Sequence, residues 1–243
     1  MTYLAFLLYF VILPALLLLG LAAYRSRPVL DSRHWAGTAI LAGIALLWTT
    51  PWDNAIVQRG VWTYGSERVI GTIGVVPIEE YAFMLLLPVF NAIVLILLGI
   101  GPGVGPSAWR RPQRCARLRV ALGAALLMTL GTVLLFWEPG LYLGAILVWF
   151  VPPLALQGCF DPAALRRNAR LIATGTLLPT AYFSLVDAYA IRDGIWTISQ
   201  PTRTGIELLG LPLEEAVFFC IVSLLVVQGL VLWQTLSLGG RQQ

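Results

Sequence analysis

Six of the twelve carboxylates in this chain stand at matching places in two stretches that repeat one another. Residues 53–84 read DNAIVQRGVWTYGSERVIGTIGVVPIEEYAFM, and residues 187–219 read DAYAIRDGIWTISQPTRTGIELLGLPLEEAVFF. Asp53 falls on Asp187, Gly60-Val61-Trp62-Thr63 on Gly194-Ile195-Trp196-Thr197, and Pro77-Ile78-Glu79-Glu80 on Pro212-Leu213-Glu214-Glu215, with one residue of gap after Gly71/Gly205. A repeat that keeps acids and tryptophans rather than a core pattern points to a duplicated half-site. Paired carboxyls suit chemistry in which one group gives a proton and another takes one. Glu79 is four residues from Phe83 and Glu80 three, and Glu214 and Glu215 stand in the same relation to Phe218. Such spacings share a helix face, so each half offers a carboxyl with an aromatic ring one turn deeper. Adjacent glutamates diverge by about 100° on a helix, so they cannot both address one site. The second of each pair then turns to its twin, to the loop, or to an arginine such as Arg59, Arg68, Arg192 or Arg203. Proline at a helix start followed by acids is also ordinary capping. Two copies with matching aspartates exceed what capping requires, because acids at helix ends partly inside a membrane are costly.

The elements that hold these residues are apolar. The chain is 58% hydrophobic and 12% charged, with a mean hydropathy of +0.82, outside the range of soluble domains. About 20 apolar residues cross a bilayer core, and seven stretches qualify: 3–24, 35–51, 78–100, 120–137, 141–157, 171–187 and 213–236. The first lacks a basic flank before it and is too long for a signal-peptide core, so it reads as a retained helix. The expected fold is all-α and polytopic. Segments one to three (1–100) form one three-helix repeat, segments five to seven (141–243) a second, and residues 101–140 supply a basic loop and a linker helix. An odd linker gives both repeats the same orientation, a parallel 3+1+3 arrangement with both motif copies on one side. The motif is expected to begin as a helix ends at Asp53 or Asp187, to run through a polar loop, and to enter the next helix at Pro-x-Glu-Glu.

Charge orients the chain. Every basic side chain is arginine, and twelve of the sixteen (Arg25, Arg27, Arg33, Arg110, Arg111, Arg114, Arg117, Arg119, Arg166, Arg167, Arg170 and Arg241) fall in alternate loops on one side. By the positive-inside rule that side is cytoplasmic, the N-terminus lies outside and the C-terminus inside a bacterial-type cell membrane. The basic balance is thus a topology signal, with anionic lipid rather than nucleic acid as its partner. Other chemistries are poorly served. His34 is the only histidine and is expected in an inner loop, which excludes histidine-rich iron sites. Cys115, Cys159 and Cys220 lack metal spacing and read as unpaired thiols. Gly101-Pro102-Gly103-Val104-Gly105 opens no βαβ unit, so a dinucleotide fold is excluded. Most tryptophans near segment ends, among them Trp35, Trp48, Trp52, Trp109 and Trp137, fit an interfacial belt; Trp62 and Trp196 stand apart because they occupy equivalent places in the repeat.

Trp52-Asp53-Asn54, Gly60-x-Trp62 and Pro77-x-Glu79-Glu80, with Asp187, Gly194-x-Trp196 and Pro212-x-Glu214-Glu215, resemble the membrane-integral lycopene cyclases of bacteria, archaea and fungi. The resemblance covers nearly the whole chain, with the family's two halves fused here. It implies cyclisation of the linear ψ-ends of lycopene to β-rings with no net redox change. A proton is added to the terminal double bond, the neighbouring double bond attacks the cation, and a ring proton is lost. That stoichiometry calls for no cofactor or metal. A carboxylic acid held neutral by an apolar site beside a second carboxylate suits the donor. The expected acid–base residues are Glu80 and Glu215, then Glu79 and Glu214, with Asp53 and Asp187 as proton partners or structural acceptors. Trp62, Trp196, Phe83 and Phe218 are expected to stabilise the cation through their π faces, and Asn54 and Tyr81 to contact substrate. The last two depart from the repeat, being matched by Ala188 and Ala216, and suggest one composite site whose halves divide the labour. Two other readings remain open. A related carotenoid enzyme, a hydratase or a C50 cyclase, would share these motifs. A small 3+1+3 transporter would need polar residues at the bilayer midplane, where this chain is almost purely apolar.

Overall fold

Proline and glycine punctuation separates seven long apolar stretches, and in the computed structural model all seven are helices long and apolar enough to cross a membrane. It describes residues 1–29, 31–65, 67–100 and 114–239, with backbone alone for 237–239. Helix α1 spans Tyr3–Tyr24, α2 Ser32–Gln58, α3 Ile78–Leu98, α4 Arg114–Leu134, α5 Leu141–Phe160, α6 Ala169–Asp193 and α7 Leu213–Gly239. A short helix, Pro162–Arg167, precedes α6. Trp109, Arg110, Arg111, Arg241 and Gly101 to Gly105 fall outside the described residues.

Two boundaries differ in a way that matters. The stretches read as 35–51 and 171–187 continue as helix to Gln58 and Asp193, so Asp53 and Asp187 sit inside α2 and α6 rather than at their ends. Hydropathy falls there because polar side chains face the protein interior, and Asp53 and Asp187 are buried. The linker helix starts earlier than 120, at Arg114, since arginine is a good helix former that a hydropathy window discounts. His34 lies in the first turn of α2 and not in a loop; it is buried, with Nε2 at 3.1 Å from the Ala92 carbonyl.

Helix α3 packs against α1, α2, α6 and α7, and α7 packs against α2, α3, α5 and α6. The two helices that open with Glu-Glu therefore form the centre of the bundle. Helix α4 lies mainly along α5, where Gly131 and Gly144 let the backbones close: a Cβ on Gly144 would come within 2.7 Å of the Gly131 carbonyl. Prolines interrupt the ladders of five helices, α1 among them. Pro14 has no N–H to give to the Phe10 carbonyl one turn back, and the chain widens into a π turn over Leu8–Ile12. The freed carbonyl accepts the Tyr182 hydroxyl at 2.7 Å.

The segments between Asp53 and Glu80, and between Asp187 and Glu215, contain six short strands. β1 (Trp62–Tyr64) pairs antiparallel with β4 (Trp196–Ile198), with Thr63 opposite Thr197. β2 (Thr72–Ile73) and β3 (Val76–Pro77) make one hairpin; β5 (Glu207–Leu208) and β6 (Leu211–Pro212) make its counterpart. The hairpins correspond residue for residue, and the Ile78 and Leu213 amides close them on the Gly71 and Ile206 carbonyls, so the extra residue of the second copy is Gly205. The ladder β1–β4 joins the two copies across one end of the bundle, called here the ladder end.

Candidate active site

Beneath the ladder, all the spanning helices except α4 enclose a cavity of about 610 Å³. Asp53 from α2, Glu80 from α3, Asp187 from α6 and Glu215 from α7 line it together. Among the described residues no arginine lines it, so this gathering of acids has no cationic partner. Most of the remaining wall is apolar and aromatic.

The two leading glutamates are each held by a tyrosine at the start of a helix, α1 for Glu80 and α5 for Glu215. The Tyr3 hydroxyl donates to Glu80 Oε2 at 2.7 Å, and the Tyr142 hydroxyl to Glu215 Oε1 at 2.8 Å. Both tyrosines are fully buried. The tryptophans of the ladder then cross between halves: Trp62 packs on Tyr142 at 5.3 Å between ring centroids, and Trp196 on Tyr3 at 5.0 Å. Trp52 stacks on Phe218 at 5.7 Å. Aromatic faces thus border the carboxyls.

The halves part company at one residue of the ladder. Tyr64 donates a second hydroxyl to Glu80 Oε2 at 3.2 Å and accepts the Trp62 indole N–H at 2.9 Å. Burial, and then the charge of Glu80, push the Tyr64 hydroxyl well above the usual phenol range, so it remains a donor. Its counterpart is Ile198, which has no hydroxyl. The Trp196 indole N–H goes instead to Asp187 Oδ1 at 3.1 Å. Asp53, the counterpart of Asp187, is buried, and among the described residues neither of its oxygens has a hydrogen-bond partner.

Of the residues singled out in the sequence, Asp53, Glu80, Asp187, Glu215, Trp62, Trp196, Phe83 and Phe218 all line the cavity. Glu79 and Glu214 do not. Glu79 Oε1 accepts the Ile70 amide at 2.8 Å, and Glu214 Oε1 accepts both the amide and the hydroxyl of Thr204 at 2.7 Å. Ile70 and Thr204 are repeat equivalents, so both acids do the same job of fastening the loop to the helix start. Of the partners considered for the second glutamate, the loop is the one found, not an arginine. Asn54 and Tyr81 also lie outside the cavity wall. The Asn54 amide nitrogen donates to the Tyr81 hydroxyl at 3.1 Å, and Tyr81 donates to the Ile73 carbonyl at 2.8 Å. Asn54 Oδ1 comes so near Gly74 (φ 69°) that a Cβ there would sit 2.5 Å from it. In the second half Ala188 clears that space, and Leu209 takes the corresponding left-handed position (φ 55°). The departures at Asn54 and Tyr81 are therefore a clamp on one hairpin.

Sequence reading passed over Tyr3, Tyr64 and Tyr142, and it assigned Trp52, which is buried against the cavity, to the interfacial belt. A usable signal was there for two of these tyrosines: the first and the fifth apolar segments both open with a tyrosine, at Tyr3 and at Tyr142.

The lycopene cyclase family model matches residues 1–98 and 140–230. A lycopene beta-cyclase of Halobacterium salinarum is 40% identical over 203 residues, which are 84% of this chain and 84% of that protein. A bifunctional lycopene cyclase/phytoene synthase of Aspergillus oryzae is 30% identical over 215 residues, 84% of this chain and 35% of the fungal one. Another from Phycomyces blakesleeanus is 31% identical over 235 residues, 93% of this chain and 38% of its own length. No solved structure matches the chain. Matched by the family model in both halves and by relatives over most of its length, the chain belongs to the lycopene cyclase family.

Proposed function

We propose that the chain is a lycopene β-cyclase, converting the linear ψ-ends of lycopene to β-rings by a proton-initiated, non-redox cyclisation. The observation that carries this reading is the convergence of four carboxyls from both halves on one aromatic cavity, with Glu80 and Glu215 each pinned by a tyrosine. Four uncompensated negative charges cannot share an apolar space, so the cluster retains protons. Hydrogen-bond donors favour the ionised form of a carboxyl. Glu80 receives two and Glu215 one, so Glu80 acts as the base and Glu215 as the acid.

The Glu215 proton adds to the terminal double bond and leaves a tertiary cation. The next double bond attacks it, closing the six-membered ring and moving the charge to the neighbouring ring carbon. Glu80 removes the adjacent ring proton, which restores a double bond. One proton enters and one leaves, so the product is an isomer of the substrate. Asp53 and Asp187 lie beside the pair and return the proton from Glu80 to Glu215. Trp52, Trp62, Trp196 and Phe218 present π faces to the transient cation. The apolar wall keeps water from trapping that cation as an alcohol, which favours cyclisation over hydration; a C50 polyene with the same end group would follow the same chemistry.

The same reading takes the fold as two parallel three-helix repeats joined by α4. The antiparallel register of β1 and β4, centred on equivalent threonines, supports it. The ladder end then faces outside, and the arginine-rich loops face the cytoplasm and its anionic lipids.

Expressed in bacteria that accumulate lycopene, the protein is expected to yield β-ringed pigments of unchanged mass, read by chromatography and mass spectrometry. A gain of water would replace cyclisation by hydration. Unchanged lycopene would remove both assignments.

A further inference from the structure

The cavity is not symmetric about the two halves. On α1 and α6 its lining stays near the ladder end, at Tyr3, Phe6 and from Phe183 to Asp187. On α2 and α5 it runs deeper, to Leu41 and Gln157. Along α2, from Asp53 to Leu41, that is a depth of about 18 Å at 1.5 Å per residue.

On this deeper side several lining residues are also exposed on the lipid-facing surface of the bundle. Ile44 is 54%, Trp48 42% and Leu156 73% exposed, although all three line the cavity. The cavity therefore opens sideways between α2 and α5. Both helices pack on α7, which forms the back wall, and not closely on each other. The opening has a defined top. The Trp149 indole N–H donates to the Trp48 carbonyl at 3.1 Å, and the two indoles meet at 5.4 Å. It also has a defined bottom, where Gly229 of α7 meets both Leu41 and Gln157; a Cβ there would lie 2.9 Å from Leu41 and 3.3 Å from Gln157. Between Leu41 and Trp48 the window is about 10 Å tall. Pro152 and Pro153 edge it on α5, where they deprive the Val148 and Trp149 carbonyls of helix partners. The seam between α1 and α6 is closed instead, by Tyr182 on the Phe10 carbonyl and by Phe10 against Tyr189 at 5.2 Å.

We propose that this window is a lateral portal through which a carotenoid end group passes from the bilayer to the acids, one end at a time, while the rest of the polyene stays in the lipid. The proposal rests on the cyclase reading for the identity of the polyene. Length decides the second half of it. An extended chain covers about 1.2 Å per bond, so a C40 polyene of about 30 main-chain bonds spans roughly 35 Å. That is nearly twice the depth of the cavity, and the Leu41–Gln157–Gly229 floor blocks passage onward. The site therefore reads one end group and the first part of the conjugated chain. The far end is left free to be linear, ringed or bulky, and the monocyclic product must leave and return reversed for its second ring.

The test uses the purified protein in liposomes with three substrates: lycopene, a carotenoid with one ψ-end and one β-ring, and one whose far end carries a bulky ester. All three are expected to be cyclised at the ψ-end within about threefold of one another, with monocyclic product released before bicyclic product from lycopene. A drop of more than tenfold for the ringed or esterified far end would overturn the proposal, since it would mean the whole molecule is enclosed. Ile44→Trp with Leu156→Trp is expected to lower kcat/KM at least tenfold for every substrate. Leu47→Trp, on the same helix but outside the cavity wall, should stay within twofold of the wild type. Wild-type kinetics in the double variant would also overturn the portal. Lycopene bound, as read by quenching of tryptophan fluorescence, but not converted would overturn the reaction assignment alone; the portal is then read from loss of that quenching in the double variant. A protein that neither binds nor converts lycopene overturns both.

Discussion

The two copies of the motif agree in their aspartate, tryptophan, threonine and paired glutamates and differ in how those residues are wired. In the first, Tyr64 takes the indole N–H of Trp62 and passes its own hydroxyl to Glu80. In the second, Ile198 has nothing to offer, and the indole of Trp196 turns to Asp187. Among the described residues that single difference distributes the donors unequally: two for Glu80, one each for Glu215 and Asp187, none for Asp53. A duplicated half-site has become an asymmetric pair through one hydroxyl, and two glutamates that align perfectly are no longer interchangeable. The proposed cyclisation needs an acid and a base within reach of one end group, and inequality of this kind would supply them.

The strongest way to break the comparison is to remove the two glutamates in turn. Both Glu80→Gln and Glu215→Gln should lower turnover of lycopene to β-rings by about 10²–10⁴-fold, the usual contribution of a positioned acid or base. The residues should fail differently. Without Glu215 no proton is delivered, and lycopene is recovered unchanged. Without Glu80 the cation still forms and collapses elsewhere, so the residual product carries a displaced double bond or a hydroxyl. Identical product profiles from the two variants would show that the hydrogen-bond count does not assign the roles.

Much of this was legible in the sequence because it rests on short-range patterns. Seven apolar stretches give seven helices whatever the tertiary details, and the 100° step along a helix separates Glu80 from Glu79 before any fold is known. The pairing Tyr3–Glu80 was not legible, because it joins residues 77 apart through a packing geometry that periodicity does not encode. The helical placement of Asp53 was hidden for another reason. A hydropathy profile cannot distinguish a helix that ends in water from one that turns a polar face into its own protein. Asn54 and Tyr81 depart from the repeat in a place whose packing the sequence does not carry: they clamp one hairpin tip that the other copy leaves to Leu209.

A finer test asks whether the donors themselves matter. Among the described residues Tyr142 is the one tyrosine hydroxyl on Glu215, whereas Glu80 keeps Tyr3 if Tyr64 is lost. A hydrogen bond to a charged group contributes about 1.5–3 kcal/mol, so Tyr142→Phe should lower kcat by about 10–100-fold. Tyr64→Phe should cost less than about tenfold, its bond being the longer and the shared one. KM for lycopene should move little in either, since both residues line the cavity and each change leaves the aromatic ring in place. Equal losses in kcat would mean that the number of donors does not rank the two glutamates, and the asymmetry argued from Tyr64 and Ile198 would lose its force; no loss in either would mean that the tyrosines act only through packing.

Glu79 and Glu214 offer the smallest effect on rate and the cleanest control, because here the two halves are wired alike. Each fastens a loop amide, of Ile70 or of Thr204, to the start of a central helix. Replacement by glutamine keeps a carbonyl to accept that amide and removes the charge that strengthens the bond. Turnover should remain within about threefold of the wild type, while thermal unfolding moves down by a few degrees for each variant, about 2–4 °C for each kcal/mol lost. Glu214→Gln should shift further than Glu79→Gln, since Glu214 also accepts the Thr204 hydroxyl at 2.7 Å. A variant that lost cyclisation without losing stability would instead place its glutamate among the reacting groups. The division between a fastening pair, Glu79 and Glu214, and a reacting pair, Glu80 and Glu215, would then have to be redrawn.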